Sequence, residues 1–248
     1  MLLKNWVAGG GLVLALSAPV KAQVINPTKI IDLTYRFDTL TIYWPGEDRF
    51  EHQYEKYGKT PKGYFYSSAR FAAPEHGGTH MDAPHHFIRE GETIEHIPMN
   101  RMVGPAVVCD LSEIEGDQIE GTDLCRAIDR MEQKVRPGGF ILLKTRSKEG
   151  PGKGLSLSAA EHLVHIGVSL VGTDSGGIDI GRNRNRPGHM TLLRNKVLIV
   201  ESLTNLDRLL GQEFLFVAAP LAIEGGTGSP VRPIAICPYI EAQWPVLA

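Results

Sequence analysis

The sequence predicts one α/β domain built on a mixed β-sheet, and three observations support this fold class. The 248 residues are 42% hydrophobic and include 27 glycines and 16 prolines, as expected for a folded, turn-rich chain. A helical segment at 158–166 is followed, after one glycine, by an apolar run at 168–173. Such a tight helix-to-strand step is typical of α/β folds. The apolar runs after residue 197 follow one another without long helices, which favours a mixed sheet.

The first 22 residues have the pattern of an export signal. Lys4 supplies a basic start, and an uncharged run covers residues 5–20 before a small residue, Ala22, at the expected cleavage point. The uncharged run is shorter than the ~20 apolar residues that cross a bilayer. We therefore expect a secreted or periplasmic protein with a mature domain at 23–248 and no stable membrane insertion after cleavage. An uncleaved N-terminal anchor is the alternative.

Two helices are predicted. Apolar side chains at helical spacing predict the first at 122–135, where the sequence RPGG follows and ends it. The second spans 158–166, with Ser158 and Glu161 as a capping box and Gly167 as its stop. Apolar, β-rich runs predict strands at 106–111, 140–145, 168–173, 197–200, 214–223 and 231–236.

Charge and cysteine content exclude some classes of protein. The chain has 26 basic and 28 acidic residues, so it lacks the basic excess of a general nucleic-acid binder. Its three cysteines are Cys109, Cys125 and Cys237, and none of their spacings is that of a metal site. Cys109 and Cys237 stand in apolar runs and are predicted to be small buried residues of strands.

A basic run precedes a late histidine. Arg182, Arg184 and Arg186 alternate with other residues shortly before His189. This pattern fits a solvated loop, and it also fits a mobile loop that covers a site next to His189.

Histidines concentrate in one short stretch. Four of the nine histidines lie between residues 76 and 86. Packing gives no reason to cluster imidazoles, because neighbouring cations would repel. Metal coordination does give a reason, since neutral imidazole and carboxylate are good ligands for zinc or manganese.

The spacing within this stretch predicts one metal site. His76 and His80 are four residues apart, but the glycines between them disfavour a helix, so the imidazoles are expected to converge from a turn and the strand that follows. His80 and Asp82 point to the same side of an extended chain. The three side chains could surround a metal and leave positions open for water, and His85 or His86 would be free as a general base. A non-catalytic metal site and a polar surface loop are the alternatives.

The sequence HGGTHMDAPHHF at 76–87 resembles the H-x-G-T-H-x-D-x-P-x-H-F signature of the metal-dependent cyclase-like hydrolases. That family includes bacterial kynurenine formamidases and isatin hydrolases. Further similar segments follow the family in chain order, so that the resemblance covers about residues 28–240: IDLT at 31–34, WPG at 44–46, VGTD at 171–174, His189, Glu201, and GGTGSPVR at 225–232.

The resemblance implies a barrel-like sheet flanked by helices and a role for each matching residue. His76, His80 and Asp82 would bind a first metal, and Asp82 would bridge to a second. The side chains implied for the second metal are His189 and Glu201, the proton-transferring residue is His86, and an aromatic residue that lines the substrate pocket is Trp44. The resemblance further implies that the isatin hydrolase type lacks this glutamate and uses one metal, so Glu201 favours two metals and a formamidase activity.

The implied function is hydrolysis of a small amide by metal-activated water, with zinc or manganese at one or two ions per subunit. The expected substrate is an aryl formamide of the N-formylkynurenine type, and ring opening of a cyclic amide such as isatin is the alternative. A non-catalytic secreted protein that binds a metal or ligand is the alternative from another class. The resemblance also implies a homodimer or higher homo-oligomer.

Two further segments have more than one interpretation. The GGTGSP segment at 225–230 would either offer backbone N–H groups to an oxyanion or form a tight structural turn. Asp174, at the end of a predicted strand, would either support a metal-binding histidine or cap a turn.

Overall fold

The structure, a computed structural model, describes residues 29–147 and 152–237. The predicted export signal at 1–22 lies outside these residues. None of the described helices combines the length and the apolar character needed to cross a membrane.

Thirteen strands and three α-helices form in the described part of the chain. The strands are β1 (Ile30–Asp32), β2 (Glu51–Lys59), β3 (Phe65–Ala72), β4 (His80–Asp82), β5 (Val103–Asp110), β6 (Gln118–Ile119), β7 (Phe140–Lys144), β8 (Gly154–Leu155), β9 (Leu170–Thr173), β10 (Leu198–Glu201), β11 (Phe214–Val217), β12 (Gly228–Pro230) and β13 (Ile234–Ile236). The helices are α1 (Gly121–Asp129), α2 (Leu157–His165) and α3 (Pro187–Arg194).

Nine strands build one curled, mixed sheet in the order β1-β13-β11-β5-β7-β9-β10-β4-β12. The central strands β5, β7, β9 and β10 are parallel neighbours, and the outer pairs are antiparallel. Two short ladders, β2-β3 and β6-β8, stand apart from this sheet. The half-barrel shape confirms the predicted single α/β domain with a mixed, barrel-like sheet and flanking helices.

The sheet separates two apolar clusters. Phe214, Phe216 and Met81 belong to the cluster on one face, and Leu163 and Leu192 of the helices belong to the cluster on the other. Met81, the middle residue of β4, is completely buried. Since side chains alternate along a strand, both neighbours of Met81 point to the opposite side, toward α3.

Both predicted helices differ from their expected bounds. The first helix ends at Asp129 instead of residue 135, although Met131 and Val135 still pack against the core. The second helix begins at Leu157, and its N-cap is Ser156, whose hydroxyl accepts a hydrogen bond from a backbone N–H of the first turn. The predicted capping box that begins at Ser158 is therefore wrong. The Ser158 hydroxyl instead accepts from the N–H of Gly121 at the start of α1.

The sequence-based prediction lacks the hairpin β2-β3, helix α3 and the short strands β6, β8 and β12, and two predicted strands are much shorter than expected. The hairpin β2-β3 was missed because its side chains lack the contrast between a buried and an exposed face. Helix α3 was missed because it has no capping side chain and starts beside a basic run. The strand predicted at 214–223 ends at Val217, and that predicted at 231–236 is confined to β13.

All three cysteines lie within the described residues and are free thiols there. Cys109 is buried in β5, as predicted. Cys237 is half-buried and follows the last residue of β13, so it is only partly the buried strand residue that was expected.

Candidate metal centre and substrate pocket

Strand β4 carries two of the predicted ligands and lies between β10 and β12. In the β10-β4 pairing, Glu201 stands directly opposite His80. In the β12-β4 pairing, Gly228 stands opposite Asp82. Residues paired across antiparallel strands share a face of the sheet. The register therefore brings the Glu201 carboxylate, 121 positions away in the sequence, to the imidazole of His80.

His76 is held by a chain of hydrogen bonds from the start of β12. The Thr227 hydroxyl donates to Glu75 Oε2 at 2.6 Å, because a carboxylate oxygen can only accept. That hydroxyl has one proton, so its 2.8 Å contact with His76 Nε2 requires the imidazole to donate. This leaves His76 Nδ1 as the ligand atom, 2.8 Å from Oδ1 of Asp82.

The close approach of β12 to His76 is possible because Gly228 has no side chain. A Cβ at Gly228 would lie 2.5 Å from His76 Cε1 and 2.6 Å from the Met81 carbonyl oxygen. The GGTGSP segment thus turns at its first residues and is a strand at 228–230. The tight-turn interpretation holds for the first residues only, because residues 228–230 pair with β4 as a strand.

His80 and His189 present their Nε2 atoms to the same two carboxylates. His80 Nδ1 contacts the Gly78 carbonyl oxygen at 3.0 Å and therefore donates, which leaves Nε2 3.2 Å from Asp82 Oδ1 and 3.6 Å from Glu201 Oε2. His189 Nε2 lies 3.4 Å from Asp82 Oδ2 and 3.3 Å from Glu201 Oε1. Imidazoles and carboxylates thus alternate around one small volume.

Asp179 orients His189 and was missed from the sequence. Its carboxylate lies 2.6 Å from His189 Nδ1 and accepts the backbone N–H groups of Gly188 and His189 at the start of α3. A carboxylate behind a ligating histidine fixes the tautomer and the ring orientation. Asp174 does not play this part, because it accepts from the Thr145 backbone and hydroxyl groups, as a turn residue does. No local pattern marks Asp179, because it meets His189 only through the folded turn before α3.

The predicted ligands form two groups that share one carboxylate. His76, His80 and Asp82 have ligand atoms within 4.8 Å of one another, and so do Asp82, His86 and His189. The His86 ring also stacks on His76, with 3.6 Å between the ring centroids. His86 was expected apart from the ligands as a general base, and the structure places it inside the second group.

Burial and charge act in opposite directions on these side chains. Burial would raise the pKa of Asp82, but the imidazoles of His189, His76 and His80 around its carboxylate hold that pKa well below its ordinary value. Burial would lower the pKa of His80, but Asp82 and Glu201 raise it to about 9. The same competition raises the pKa of His189 well above 6.5, where Asp179 is the largest favourable contributor. Burial lowers the pKa of His86 to about 3, so its imidazole is neutral at pH 7.

This donor set fits a divalent cation. Asp82 Oδ2 is buried and has no hydrogen-bond partner among the described residues. An unpartnered buried carboxylate oxygen costs free energy, and a bound cation would remove that cost. Mixed imidazole and carboxylate ligands suit zinc, manganese and similar ions.

A cavity of about 740 Å³ opens beside this centre and is lined by Trp44 together with His76 and His80. Its wall also includes the aromatic residue Tyr43 and the basic residue Arg146. The predicted pocket residue Trp44 therefore lies where a substrate would approach the ligands.

The three arginines of the basic run before α3 lie in three different environments. Arg182 forms an ion pair with Asp117, and Arg184 is exposed to solvent. Arg186 lies over the ring of Trp44, with its Cζ 4.9 Å from the ring centroid. The solvated-loop interpretation holds for Arg184, and only Arg186 reaches a residue of the cavity.

A family model described as "Putative cyclase" matches residues 31–180, more than half of the chain. The chain belongs to the cyclase family. The chain is 31% identical to an isatin hydrolase of Roseibium aggregatum over 204 residues, which cover 71% of this chain and 77% of the relative. It is 30% identical to a kynurenine formamidase of Geobacillus thermodenitrificans over 212 residues, which cover 84% and 97% of the two chains.

Solved structures share the fold of this chain. Isatin hydrolase A from Labrenzia aggregata, bound to benzyl benzoate, superposes with a TM-score of 0.73 at 26% identity, covering 84% of this chain and 93% of that one. A protein described as a potential metal-dependent hydrolase with cyclase activity gives a TM-score of 0.69 at 27% identity, covering 86% and 99%. These relatives support an amidohydrolase over a non-catalytic binding protein.

Proposed function

We propose that this member of the cyclase family is a metal-dependent hydrolase of an aryl formamide of the N-formylkynurenine type, releasing formate and the aromatic amine. The observation that carries the proposal is the sharing of Asp82 between two ligand groups, with Glu201 beside both His80 and His189. The kynurenine formamidase relative, matched over 97% of its length, supports this substrate class.

His76, His80 and Asp82 would hold one ion, and Asp82, His189 and Glu201 would hold the other. Bound divalent ions would supply hydroxide at neutral pH and polarise the amide carbonyl. The protein's own part is to fix the rings of His189 and His76, through Asp179 and the Thr227 hydroxyl respectively.

His86 is proposed to carry the proton. Its neutral imidazole can accept a proton from the attacking water and deliver it to the leaving nitrogen. Water adds to the formamide carbon and the C–N bond breaks, which gives formic acid and the aromatic amine. The reaction needs no redox partner. Trp44 would stack on the aryl ring at the cavity wall.

Ring opening of a cyclic amide such as isatin is the second candidate. It is favoured by the isatin hydrolase relative, which is 31% identical to this chain, compared with 30% for the formamidase. The deciding experiment is an assay of one purified preparation with N-formylkynurenine and with isatin, before and after chelation. Chelator-sensitive deformylation supports the first candidate, and chelator-sensitive isatin opening replaces it with the second. Turnover that survives full metal removal overturns both.

We also propose that the protein is a homodimer or higher homo-oligomer that is exported by its N-terminal segment. The hairpin β2-β3 supports the oligomer, because a two-stranded hairpin with both faces exposed is marginal by itself. Its exposed aromatic side chains are Tyr54, Tyr57, Tyr64, Phe65, Tyr66 and Phe71. At roughly 100 Å² of exposed surface each, they approach the ~800 Å² per partner of a stable interface.

Light scattering tests the oligomer. The wild type is expected to be a dimer or larger, and the double variant Tyr57→Glu/Phe65→Glu is expected to be a monomer with an unchanged circular dichroism spectrum. A monomeric wild type would contradict the proposed oligomer. N-terminal sequencing of the protein recovered from fractionated cells tests the export: a start at Gln23 outside the cytoplasm supports it, and an intact Met1 in the cytoplasm contradicts it.

A further inference from the structure

We infer that Arg186 is a positioning residue that holds the Trp44 indole as the wall on which the aromatic ring of the substrate stacks. The inference rests on the proposed function, since it concerns how the site selects an aryl amide. The distance of 4.9 Å from the guanidinium carbon to the ring centroid is within the ~6 Å of an effective cation–π interaction.

Among the described residues, no acidic side chain pairs with the Arg186 guanidinium on its buried side. Its Nη1 is shielded from solvent and makes no hydrogen bond within the described residues. A buried cationic donor has lost its hydration. The attraction between the Arg186 guanidinium and the face of the Trp44 indole compensates for that loss. Arg182, four residues earlier, shows the ordinary alternative, because it pairs with the carboxylate of Asp117.

The backbone also indicates a role for this side chain. Arg186 has φ 47° and ψ 52°, the left-handed conformation that favours glycine, and it directly precedes Pro187. A residue before proline is biased toward extended conformations, so the position is disfavoured for arginine on two counts. Glycine would adopt the same turn without strain. An arginine there is explained by the contact that its side chain makes.

The contact joins the two halves of the site. Trp44 lines the cavity beside His76 and His80, whereas Arg186 begins the helix that carries His189. The segment that bears Trp44 is weakly packed, since Leu40 is 84% exposed and Ile42 82% exposed. Trp44 itself is 37% exposed, so indole surface remains open. Arg186 thus supplies a fixed support for an aromatic wall that its own segment holds loosely.

Matched substitutions test the inference with an aryl and an alkyl substrate. We would compare formanilide with N-butylformamide for the wild type, Arg186→Met, Arg186→Lys and the exposed control Arg184→Met. Loss of the cation–π support is expected to raise KM for formanilide about fivefold in Arg186→Met while kcat and the alkyl substrate change less than about twofold. Arg186→Lys should restore part of the loss, and Arg184→Met should match the wild type.

A fluorescence measurement separates this inference from the proposed function. The chain has tryptophans at positions 6, 44 and 244, so a Trp6→Phe/Trp244→Phe background leaves Trp44 as the sole reporter. Arg186→Met should shift the Trp44 emission and weaken its quenching by 2-aminoacetophenone about fivefold. These changes in a protein that hydrolyses no formamide would overturn the proposed function and keep the inference. Unchanged emission, quenching and KM in a folded, active Arg186→Met protein would overturn the inference.

Discussion

The Glu201 carboxylate faces the His80 imidazole across one antiparallel pairing, with Oε2 3.6 Å from Nε2. The same carboxylate reaches His189 through its other oxygen at 3.3 Å. The N–H of Ile178 donates to that second oxygen at 2.6 Å and fixes the rotamer of the side chain. Glu201 therefore links a ligand of the first group to a ligand of the second.

His86→Ala is expected to lower kcat by at least about 100-fold while both metals stay bound, because the proton carrier is removed and the proposed ligands are kept. Steady-state kinetics and metal analysis of the same sample check this. His96→Ala, an exposed histidine outside the site, is the control. Full activity in His86→Ala would show that the proton is carried elsewhere, and loss of metal would show that His86 is a ligand.

Asp179→Asn is expected to weaken metal binding at the second group by about 10–100-fold, because His189 loses the carboxylate that orients its ring. Competition with a chromophoric chelator measures the affinity. Asp207→Asn removes a charge from an exposed site and should leave the affinity unchanged. Equal affinities in the two variants would refute the orienting role of Asp179.

Thr227→Val should weaken metal binding at the first group by about 10–100-fold, since it deletes the acceptor that sets the tautomer of His76. Thr227→Ser keeps the hydroxyl and should retain the wild-type affinity. Titration of metal-free protein, followed by calorimetry, gives both values. If serine and valine behave alike, packing of the methyl group, and not the hydrogen bond, is what matters at this position.

Metal affinity should rise with pH. In the metal-free protein His80 has a pKa of about 9, so at neutral pH its imidazole carries a proton that a metal must displace. Apparent affinity should increase roughly tenfold per pH unit for each proton released, and this proton's contribution should level off above about pH 9. Chelator competition between pH 6 and 10 tests this. A flat profile would mean that His80 is neutral before the metal binds.

The same shift predicts an opposite trend for the stability of the metal-free protein. The raised pKa of His80 stabilises the fold fully below its ordinary value of 6.5, and this contribution is lost as the pH rises through about 9. The melting temperature of metal-free protein should therefore fall over that range.

The sequence was sufficient for the parts of the site that depend on local spacing. His80 and Asp82 are two residues apart in a strand, so their shared orientation follows from the period of a strand alone. The strands predicted at 140–145 and 168–173 are buried on both faces, so they could be predicted from their continuous apolar runs. Glu201 was recovered only from the resemblance to the family.

The remaining parts depend on contacts between distant segments. The carboxylate that orients His189 could be identified only after the turn before α3 was known. From the sequence alone, Asp174 was a candidate for supporting a metal-binding histidine. The contact between Arg186 and Trp44 joins positions 142 residues apart through a backbone conformation that arginine rarely adopts. The hairpin β2-β3 has no buried face in one copy of the chain, so no hydrophobic pattern marked it.

The most direct test of the two-metal account is the metal content per chain of wild type, Glu201→Gln and the exposed control Glu224→Gln, measured by elemental analysis with deformylation assayed on the same samples. We predict two ions for the wild type and the control, and about one ion with at least a 100-fold lower kcat for Glu201→Gln. A wild type that deformylates its substrate with no bound metal would contradict the account.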